Sequence, residues 1–540
     1  MESTDHSAEA DPLKSGEDGT APSPGMLKKK SCRESLGLAK LSHWRTAIFF
    51  LSLFLCLTIV FAFSFVIPCP VRPQYLSTWN RTFPQADTYD FLAIEDASRD
   101  KVMDVIFVLK DKEGSQNNTC DSADLPTPCV FVVALAGTDG QTLWERRLAP
   151  EYHWAQCSID EGTDKDWGCL LSHSDQLTAI DKYTGEVKWK QPQPPGLSKS
   201  LPALSVPDLD GDKVHEVALV ARDTTQLVFL SGKTGFQVGS EVVLDSAETT
   251  GLLLHTTAKN SHYVLFRRDT GLYGLALQKI AAKAGVEASL SEDKHWESKA
   301  SAPFGLVPVY KSDSLRHVLK LVKKGDLSDL LLVTTDEVVL ISGKDLQTLW
   351  RFNTSGVISE PSFGHFNKDG LLDVVVEEDI GNATKRVVIL DGKSGGVLWE
   401  VSLLASTNSP KPASVHTINS ISVFMFWGLM PSEANSSVPL AEDRRSYMLY
   451  PHFAKVLLES TNVVDHIVTF KATLLERGRH ACYILLTNTG SERSDSAVVI
   501  SKRKLKQDVP TSRVLRMGGG GGETNDDIKE VFNRLRFSDD

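Results

Sequence analysis

One glycine-containing turn recurs four times along this chain, each time followed by a tryptophan. The copies are LAGTDGQTLWE around Trp144, IDKYTGEVKWK around Trp189, ISGKDLQTLWR around Trp350 and LDGKSGGVLWE around Trp399. A fifth copy, LSGKTGF from Leu230, lacks the tryptophan. Glycine supplies the positive φ that tight hairpin turns require, and tryptophan buries a large area between neighbouring sheets. The copies therefore predict repeated short antiparallel strands that pack against one another.

A second turn, rich in side-chain oxygens, precedes runs of β-branched and aliphatic residues. Nine-residue copies begin at Asp96, Asp208 and His365, and a degenerate copy covers 324–329. The runs that follow them are VIFVL, VALVA, VVVEE and LLLVT. Asp and Asn form turns by accepting hydrogen bonds from nearby backbone N–H groups, so each copy predicts a turn that leads into a buried strand.

The strand clusters predict how the repeats are assembled. Clusters begin near residues 104, 169, 216, 262, 329, 373, 422 and 481. One unit of short strands cannot bury both of its faces, but units packed radially can. A hydrophobic content of 41% is sufficient for such a core. We predict an all-β fold, a seven- or eight-bladed β-propeller. A pair of β-sandwiches is the alternative, which the matched tryptophan turns disfavour.

The residues from Ala47 to Ile67 form an uncharged apolar run. A helix of this length spans a bilayer core of about 30 Å. Six Lys and Arg residues lie between Lys28 and Arg45, whereas two arginines follow the run within twenty residues, so the positive-inside rule places the amino terminus in the cytoplasm. A cleaved signal peptide is the alternative, but 46 residues precede the run. We predict an uncleaved signal-anchor and a single-pass type II protein.

These patterns divide the chain into five parts. We expect a disordered cytoplasmic tail (1–46), a transmembrane helix (47–67), a juxtamembrane stalk (68–89), the propeller ectodomain (90–516) and a Gly-rich linker with a short C-terminal helix (517–540). The tail has too few large apolar side chains to fold by burial. The final helix is predicted from the apolar spacing of 526–537.

All the glycosylation sequons of the chain follow the predicted span and lie on its lumenal side. These Asn-x-Ser/Thr sites, each a weak signal alone, are Asn80, Asn117, Asn353, Asn382 and Asn435.

Six cysteines follow the span, an even number compatible with disulfides in an oxidising compartment. The preferred pairs close short loops, Cys120 with Cys129 and Cys157 with Cys169. A long-range pair of Cys69 and Cys482 would then remain, although six cysteines allow fifteen pairings. A zinc site is the alternative, but there is no CxxC motif to support it.

The two turns also carry a family resemblance. The Asp-x-x-x-Asp turns resemble the FG-GAP repeats of integrin α-chain propellers, and the Thr-Gly-x-x-x-Trp turns resemble quinoprotein-type propeller repeats. With a span that ends in FVIPCP, they resemble the vertebrate integrin FG-GAP repeat-containing membrane proteins (family with sequence similarity 234, member A type). This resemblance covers the whole chain and is strongest over 42–516. It implies a single-pass cell-surface or endomembrane glycoprotein and supplies no catalytic residues.

The nine-residue turns present oxygens at positions 1, 3, 5 and 9, the ligand type that calcium requires. In the second copy these belong to Asp208, Asp210, Asp212 and Glu216, and in the first to Asp96, Ser98, Asp100 and Asp104. Four carboxylates on one short loop repel one another unless a cation neutralises them. We predict calcium at these two copies. The alternative is that the acids act only as turn formers.

The sequence favours a binding function over catalysis. A net charge of −11 disfavours nucleic-acid binding, and HExxH, P-loop and G-x-S-x-G motifs are absent from the sequence. We expect a non-enzymatic, membrane-tethered protein-interaction or accessory module at the cell surface or in secretory-pathway membranes. The alternative is a propeller enzyme of quinoprotein-like type. The quinoprotein dehydrogenases that the repeats resemble typically carry adjacent cysteines, and this chain has no Cys-Cys pair.

Overall fold

The protein divides into two units, 1–73 and 74–540. The computed structural model describes residues 43–66, 78–111, 128–148, 150–157, 168–194, 203–221, 226–244, 250–268, 270–301, 305–323, 328–404, 409–431, 445–461, 466–476, 480–488, 497–518 and 522–538. Residues 1–42 of the predicted cytoplasmic tail lie outside the described residues.

The described part of the first unit is one helix, α1 (His43–Val66). Its window Trp44–Ala62 is apolar and long enough to cross a bilayer, and none of it is buried against protein. The candidate span agrees with the apolar run predicted at 47–67.

The second unit is a β-propeller of eight antiparallel blades. Blade 8 begins with the chain's first strand, β1 (Trp79–Pro84), and is completed by β30 (His466–Glu476), β31 (His480–Asn488) and β32 (Ala497–Lys504). Blade 1 contains β2 (Ala86–Glu95), β3 (Asp104–Asp111), β4 (Val130–Leu135) and β5 (Thr142–Leu148). Blade 2 contains β6 (Tyr152–Cys157), β7 (Gly168–His173), β8 (Gln176–Asp181) and β9 (Val187–Pro192). Blade 3 contains β10 (Leu204–Val206), β11 (Glu216–Ala221), β12 (Gln226–Leu230) and β13 (Gln237–Val243).

The remaining blades follow in chain order. Blade 4 contains β14 (Thr250–Thr256), β15 (His262–Arg268), β16 (Gly271–Ala276) and β17 (Val307–Lys311), with the helices α2 (Leu277–Lys283) and α3 (Lys294–Glu297) inserted before β17. Blade 5 contains β18 (His317–Val322), β19 (Ser328–Val333), β20 (Glu337–Ile341) and β21 (Thr348–Asn353). Blade 6 contains β22 (Ser362–Gly364), β23 (Asp373–Asp379), β24 (Thr384–Leu390) and β25 (Val397–Leu404). Blade 7 contains β26 (Ala413–His416), β27 (Ser422–Trp427), β28 (Arg445–Leu449), a 3₁₀ turn (Pro451–Phe453), β29 (Val456–Thr461) and β33 (Arg513–Arg516).

The eight predicted strand clusters are the second strands of the eight blades. The central residues of these strands are mostly apolar because both faces of each strand are buried. In β3, Val105 and Phe107 pack with blade 8, whereas Ile106 and Val108 pack with blade 2. The core is therefore a series of layers between neighbouring blades.

The propeller begins earlier than the predicted boundary at residue 90. Residues 79–84 do not form a stalk: as β1, they make up the fourth strand of blade 8, in which Trp79 pairs with Lys502. A partner more than four hundred positions away leaves no local pattern, which is why the sequence did not reveal this strand.

The C-terminal helix is docked on the propeller. α4 (Leu505–Asp508) leads into β33, and α5 (Asn525–Arg534) begins with a capping box between Thr524 and Asp527. Ile528 and Phe532 are buried in the core layer of blades 7 and 8. The helix predicted within 526–537 is thus present and packed.

Candidate functional site

Both repeated turns lie on one face of the ring. Successive antiparallel strands reverse direction, so the first-to-second and third-to-fourth turns of each blade share one edge. The acidic turns are of the first kind and the tryptophan turns of the second. We call the surface that these turns form the tryptophan-turn face. The second-to-third turns and the connections between blades form the opposite face.

Each tryptophan docks on the blade that follows its own. Trp144 of blade 1 donates from Nε1 to the carbonyl of Lys182 in blade 2, at 2.8 Å. Its ring covers Gly185, which has φ +66°, and a Cβ there would come within 2.5 Å of the ring. The other predicted tryptophans donate in the same way: Trp189 to Gly232 (2.8 Å), Trp350 to Gly392 (2.9 Å) and Trp399 to Ala454 (2.8 Å). These contacts join neighbouring blades.

Trp79 is a fifth docking tryptophan, which sequence reasoning missed. It donates to the carbonyl of Gly137 at 3.1 Å and is 6% exposed. In the sequence no glycine turn precedes Trp79, because the other three strands of blade 8 come from the opposite end of the propeller sequence. The sequence contains one signal for this strand. The segment WNRTF, which begins at Trp79, resembles the segment WERRL, which begins at Trp144.

The first acidic turn is held by hydrogen bonds to its own backbone. Asp96 accepts from the N–H groups of Arg99 and Lys101, at 2.8 and 3.2 Å. Asp104, which is 1% exposed, uses one oxygen for the N–H of Ala97 and the other for the N–H of Gly137, both at 2.9 Å. Asp104 thus ties the acidic turn to the tryptophan turn of the same blade. We call this arrangement a carboxylate clamp.

The clamp recurs in blade 6, and blade 5 has the bond to its glycine turn. Asp373 accepts from Phe366 in its acidic turn at 2.7 Å and from Gly392 in its tryptophan turn at 3.0 Å. In blade 5, Asp329 accepts from Gly343 at 3.2 Å and forms an ion pair with Lys323. The last acid of the turn therefore has a structural role in these blades.

Blade 3 differs, because a glutamate occupies the clamp position. Glu216 is fully buried, and its Oε2 accepts from the N–H of Leu209. Within the described residues its Oε1 has no hydrogen-bond partner. A buried carboxylate oxygen without a partner is costly, so this atom needs an explanation.

The second acidic turn also brings four carboxylates together. One oxygen each from Asp208, Asp210, Asp212 and Glu216 lie within 4.8 Å of one another. Oxygens on opposite sides of a calcium ion with bonds of 2.3–2.6 Å are about 5 Å apart, so this spacing fits such an ion. Burial, followed by the charges of the three aspartates, raises the pKa of Glu216 to about 8. A bound cation would offset both effects.

Among the described residues, the second copy is the turn that gathers three or more metal-type ligands. In the first copy, the contacts of Asp96 and Asp104 are those of turn formers, and Asp100 accepts from the N–H of Val102 at 2.8 Å. A hydrogen bond from Ser98 to Asp104 belongs to the same turn. Calcium at the first copy stays a prediction from sequence.

The sequons occupy exposed positions where they are described. Asn353 ends β21, Asn382 lies in the β23–β24 turn, and both belong to the opposite face. Asn80 lies on the outermost strand of blade 8 and is also exposed. Asn117 and Asn435 lie outside the described residues, in segments that connect second to third strands.

The predicted cysteine pair of blade 2 forms a disulfide. Cys157 and Cys169 are cross-strand neighbours in β6 and β7, with their Cα atoms 4.0 Å apart. Cys129 is disulfide-bonded as well, whereas its predicted partner Cys120 lies outside the described residues. Cys482 is buried in β31, and Cys69 also lies outside.

A cavity of 830 Å³ is lined by the first strands of blades 1, 2, 6, 7 and 8. Lys471 and Lys411 line it together with Asp90. Lys411 is paired with Glu360 at 2.7 Å. The described lining contains no histidine.

The comparisons with known proteins identify the family. The model of the FAM234A/B beta-propeller matches residues 79–538, which include β1 and α5. The chain belongs to this family. Protein FAM234A of Bos taurus is 37% identical over 547 residues, covering 99% of this chain and 98% of its own. Protein FAM234A of Homo sapiens is 34% identical with 99% of each chain covered, and Protein FAM234B of Gallus gallus is 29% identical with 96% and 86% covered.

These FAM234 relatives confirm the resemblance to the member A type. Among solved structures, the quinohemoprotein alcohol dehydrogenase of Comamonas testosteroni aligns with a TM-score of 0.38 at 10% identity, over 84% of this chain and 80% of that chain. A similarity of this size transfers no property to the FAM234 chain.

Proposed function

We propose that this FAM234 protein is a non-catalytic, single-pass type II membrane glycoprotein that binds a protein partner through its tryptophan-turn face. The positive charge before the apolar run supports the orientation. The exposed sequons and the Cys157–Cys169 disulfide support an oxidising, extracytoplasmic location for the propeller. The absence of catalytic motifs from the sequence supports a binding role.

Among the described residues, the exposed apolar side chains are distributed unequally between the two faces, and this distribution carries the proposal. The exposed apolar residues in the turns of the tryptophan-turn face, or at the strand ends beside them, are Met103, Leu143, Val187, Phe236, Val322, Leu349, Val397 and Ile418. Those on the opposite face are Val243, Ile358 and Ile380. Exposed apolar groups concentrated on one surface are typical of protein interaction sites.

Other features of the tryptophan-turn face fit a protein partner. Phe236, at the tip of the blade 3 turn, is 66% exposed, and lysines at equivalent exposed tips are Lys233, Lys344 and Lys393. Apolar anchors surrounded by charges are the usual anatomy of a protein interface. Among the described sequons, Asn353 and Asn382 lie on the opposite face. Glycans there would leave the tryptophan-turn face uncovered.

Engineered glycans test the proposed surface. The exposed sequences Gln141-Thr-Leu143 and Gln347-Thr-Leu349 become sequons in the double variants Q141N/L143T and Q347N/L349T. We expect proximity labelling of the full-length protein in cells to lose the partner proteins found with the wild type, because a glycan blocks the face.

The single variants Q141N and L143T carry no added sequon and should keep the wild-type partners. Asn382→Gln removes a sequon from the opposite face and should also keep them. An unchanged set of labelled proteins in both double variants, once the new glycans are shown to be attached, would exclude this face as the binding surface.

Topology is tested separately. A tag at Met1 should be inaccessible to antibody in intact cells, a tag at Asp540 should be accessible at the surface or in the lumen, and glycosidase should increase gel mobility. A protected carboxyl terminus together with unmodified sequons would contradict the type II orientation.

We also propose that Asp208, Asp210, Asp212 and Glu216 bind calcium. The unpartnered Oε1 of the buried Glu216 supports the site, in addition to the spacing of the four acids. A ligand at one hundred times its Kd stabilises the folded state by about 2.7 kcal/mol. The full-length protein should therefore melt at a lower temperature in chelator, and D210A/D212A should reduce the difference. Identical melting curves with and without calcium would leave these acids as turn formers only.

A further inference from the structure

Blade 3 contains the acidic turn but lacks the complete carboxylate clamp. In blades 1 and 6 the clamp aspartate bonds the N–H of a glycine whose carbonyl accepts the tryptophan of the preceding blade. In blade 6, Gly392 donates to Asp373 at 3.0 Å and accepts from Trp350 at 2.9 Å. The clamp and the docked tryptophan thus hold the same glycine residue, one through its N–H and the other through its carbonyl.

In blade 3 the corresponding glycine is Gly232. Its carbonyl accepts from Trp189 at 2.8 Å, as in the other blades. The second oxygen of Glu216, which would complete the clamp, has no partner within the described residues. Among the described contacts, the Gly232 turn is therefore bonded by Trp189 of blade 2 and not by the carboxylate of Glu216.

The extra methylene of glutamate explains the difference. It brings the carboxylate of Glu216 into the group formed by Asp208, Asp210 and Asp212. The described polar link between the two turns of this blade is the pair Lys233–Asp212 at 3.8 Å, and Lys233 is largely exposed. Exposed pairs contribute little to stability.

We propose that a divalent cation bound by the four acids replaces the missing clamp of blade 3 and thereby controls the docking of Trp189 between blades 2 and 3. This inference rests on the proposed calcium site. By fixing Glu216 and Asp212, the cation fixes the end of the acidic turn and the start of β11, against which the Gly232 turn packs. A Cβ at Gly232 would approach the carbonyl of His215 to 2.1 Å, so the two turns are already in close contact.

Hydrogen exchange of the full-length protein in detergent, with calcium and with chelator, tests the coupling. Calcium should slow exchange about five- to tenfold in the peptides around Gly232 and Trp189, which is the factor expected from one net hydrogen bond. The peptides around Gly392 and Trp350 are the internal control, because their clamp is a direct hydrogen bond. They should exchange at the same rate in both conditions.

Glu216→Asp is the decisive variant, because it restores the residue found in the clamps of blades 1 and 6. In this variant the Gly232 peptide should be protected in chelator as well as in calcium, and the effect of calcium should disappear. Glu216→Gln keeps the length of the side chain and should lose calcium protection without gaining protection in chelator.

Terbium luminescence in the same preparations separates this inference from the calcium site itself. If terbium does not bind, or if D210A/D212A binds it as the wild type does, the proposed cation site is wrong. If terbium binds at the acids but calcium leaves the exchange of the Gly232 peptide unchanged, the site stands and the coupling to Trp189 is refuted.

Discussion

The indole of Trp79 and the carbonyl of Gly137 form a 3.1 Å hydrogen bond at the junction where the propeller closes. The same carbonyl accepts from the ammonium group of Lys502, which is fully buried, at 2.6 Å. Trp79 and Lys502 are also paired residues of β1 and β32. Strands β1 and β32 of blade 8 and the tryptophan turn of blade 1 are therefore joined at one peptide group.

Trp79→Ala should open this junction. Loss of a buried indole costs about 3–5 kcal/mol. Trp79 lies on β1, the strand that joins the start of the propeller sequence to blade 8. We expect a lower melting temperature and retention of the variant in the secretory pathway. The exposed neighbour Arg81 provides the control R81Q, which should behave as the wild type. Wild-type stability of Trp79→Ala would mean that β1 is not needed for closure.

Gly185→Ala should disturb the junction between blades 1 and 2. The residue has φ +66°, and the added Cβ would lie 2.5 Å from the ring of Trp144. Gly381→Ala is the matched control, because Gly381 has φ +85° with nothing within 4 Å. Both variants incur the backbone strain of about 1–2 kcal/mol, and Gly185→Ala also displaces the indole. Equal losses of unfolding free energy in the two variants would contradict the docking of Trp144.

Ile528→Asn should release the C-terminal helix. Ile528 is fully buried, and an amide without partners there costs several kcal/mol of local stability, about 2–5. Limited proteolysis should then cut the glycine segment 518–522 faster than in the wild type, while the rest of the propeller stays intact. Asp526→Asn, at an exposed position of the same helix, should leave the cutting rate unchanged.

The contribution of His255 to the stability of the propeller should fall as the pH is lowered from neutral. His255 is buried, its Nε2–H donates to the carbonyl of Gly343 at 3.0 Å, and its ring stacks on Trp296. Burial lowers the pKa of His255 to about 4, from 6.5 in an exposed histidine. Between these values the unfolded chain binds a proton that the folded chain excludes, so the stabilisation is complete above the unfolded pKa and is lost as the pH falls towards 4.

Chemical denaturation at about pH 7 and about pH 5 measures this effect. From one such residue the loss is about 2 kcal/mol at the lower pH. His255→Gln keeps a donor for Gly343 and should flatten the dependence. A part should remain, because burial also lowers the pKa of His173 to about 4. An unchanged pH dependence in His255→Gln would show that this histidine is not the source.

The sequence by itself determined the features that are encoded within about ten neighbouring residues. The glycine turns with Trp144, Trp189 and Trp399 determined the hairpins, because positive φ and a large apolar side chain are local requirements. The largely apolar second strands limited the number of blades to seven or eight, since a strand buried on both faces shows no alternation. The apolar run at 47–67 required only length and composition.

The tertiary structure decided the features that depend on partners distant in the chain. Trp79 belongs with Lys502 because the closing strand of blade 8 comes from the opposite end of the propeller sequence. The sequence likewise listed Asp104 and Glu216 as equivalent ligands. In the folded chain Asp104 bonds Gly137, 33 residues away, whereas Glu216 groups with three aspartates and has one oxygen without a partner among the described residues. One methylene separates a structural clamp from a candidate cation site, because hydrogen bonding depends on distances that only the packed blades set.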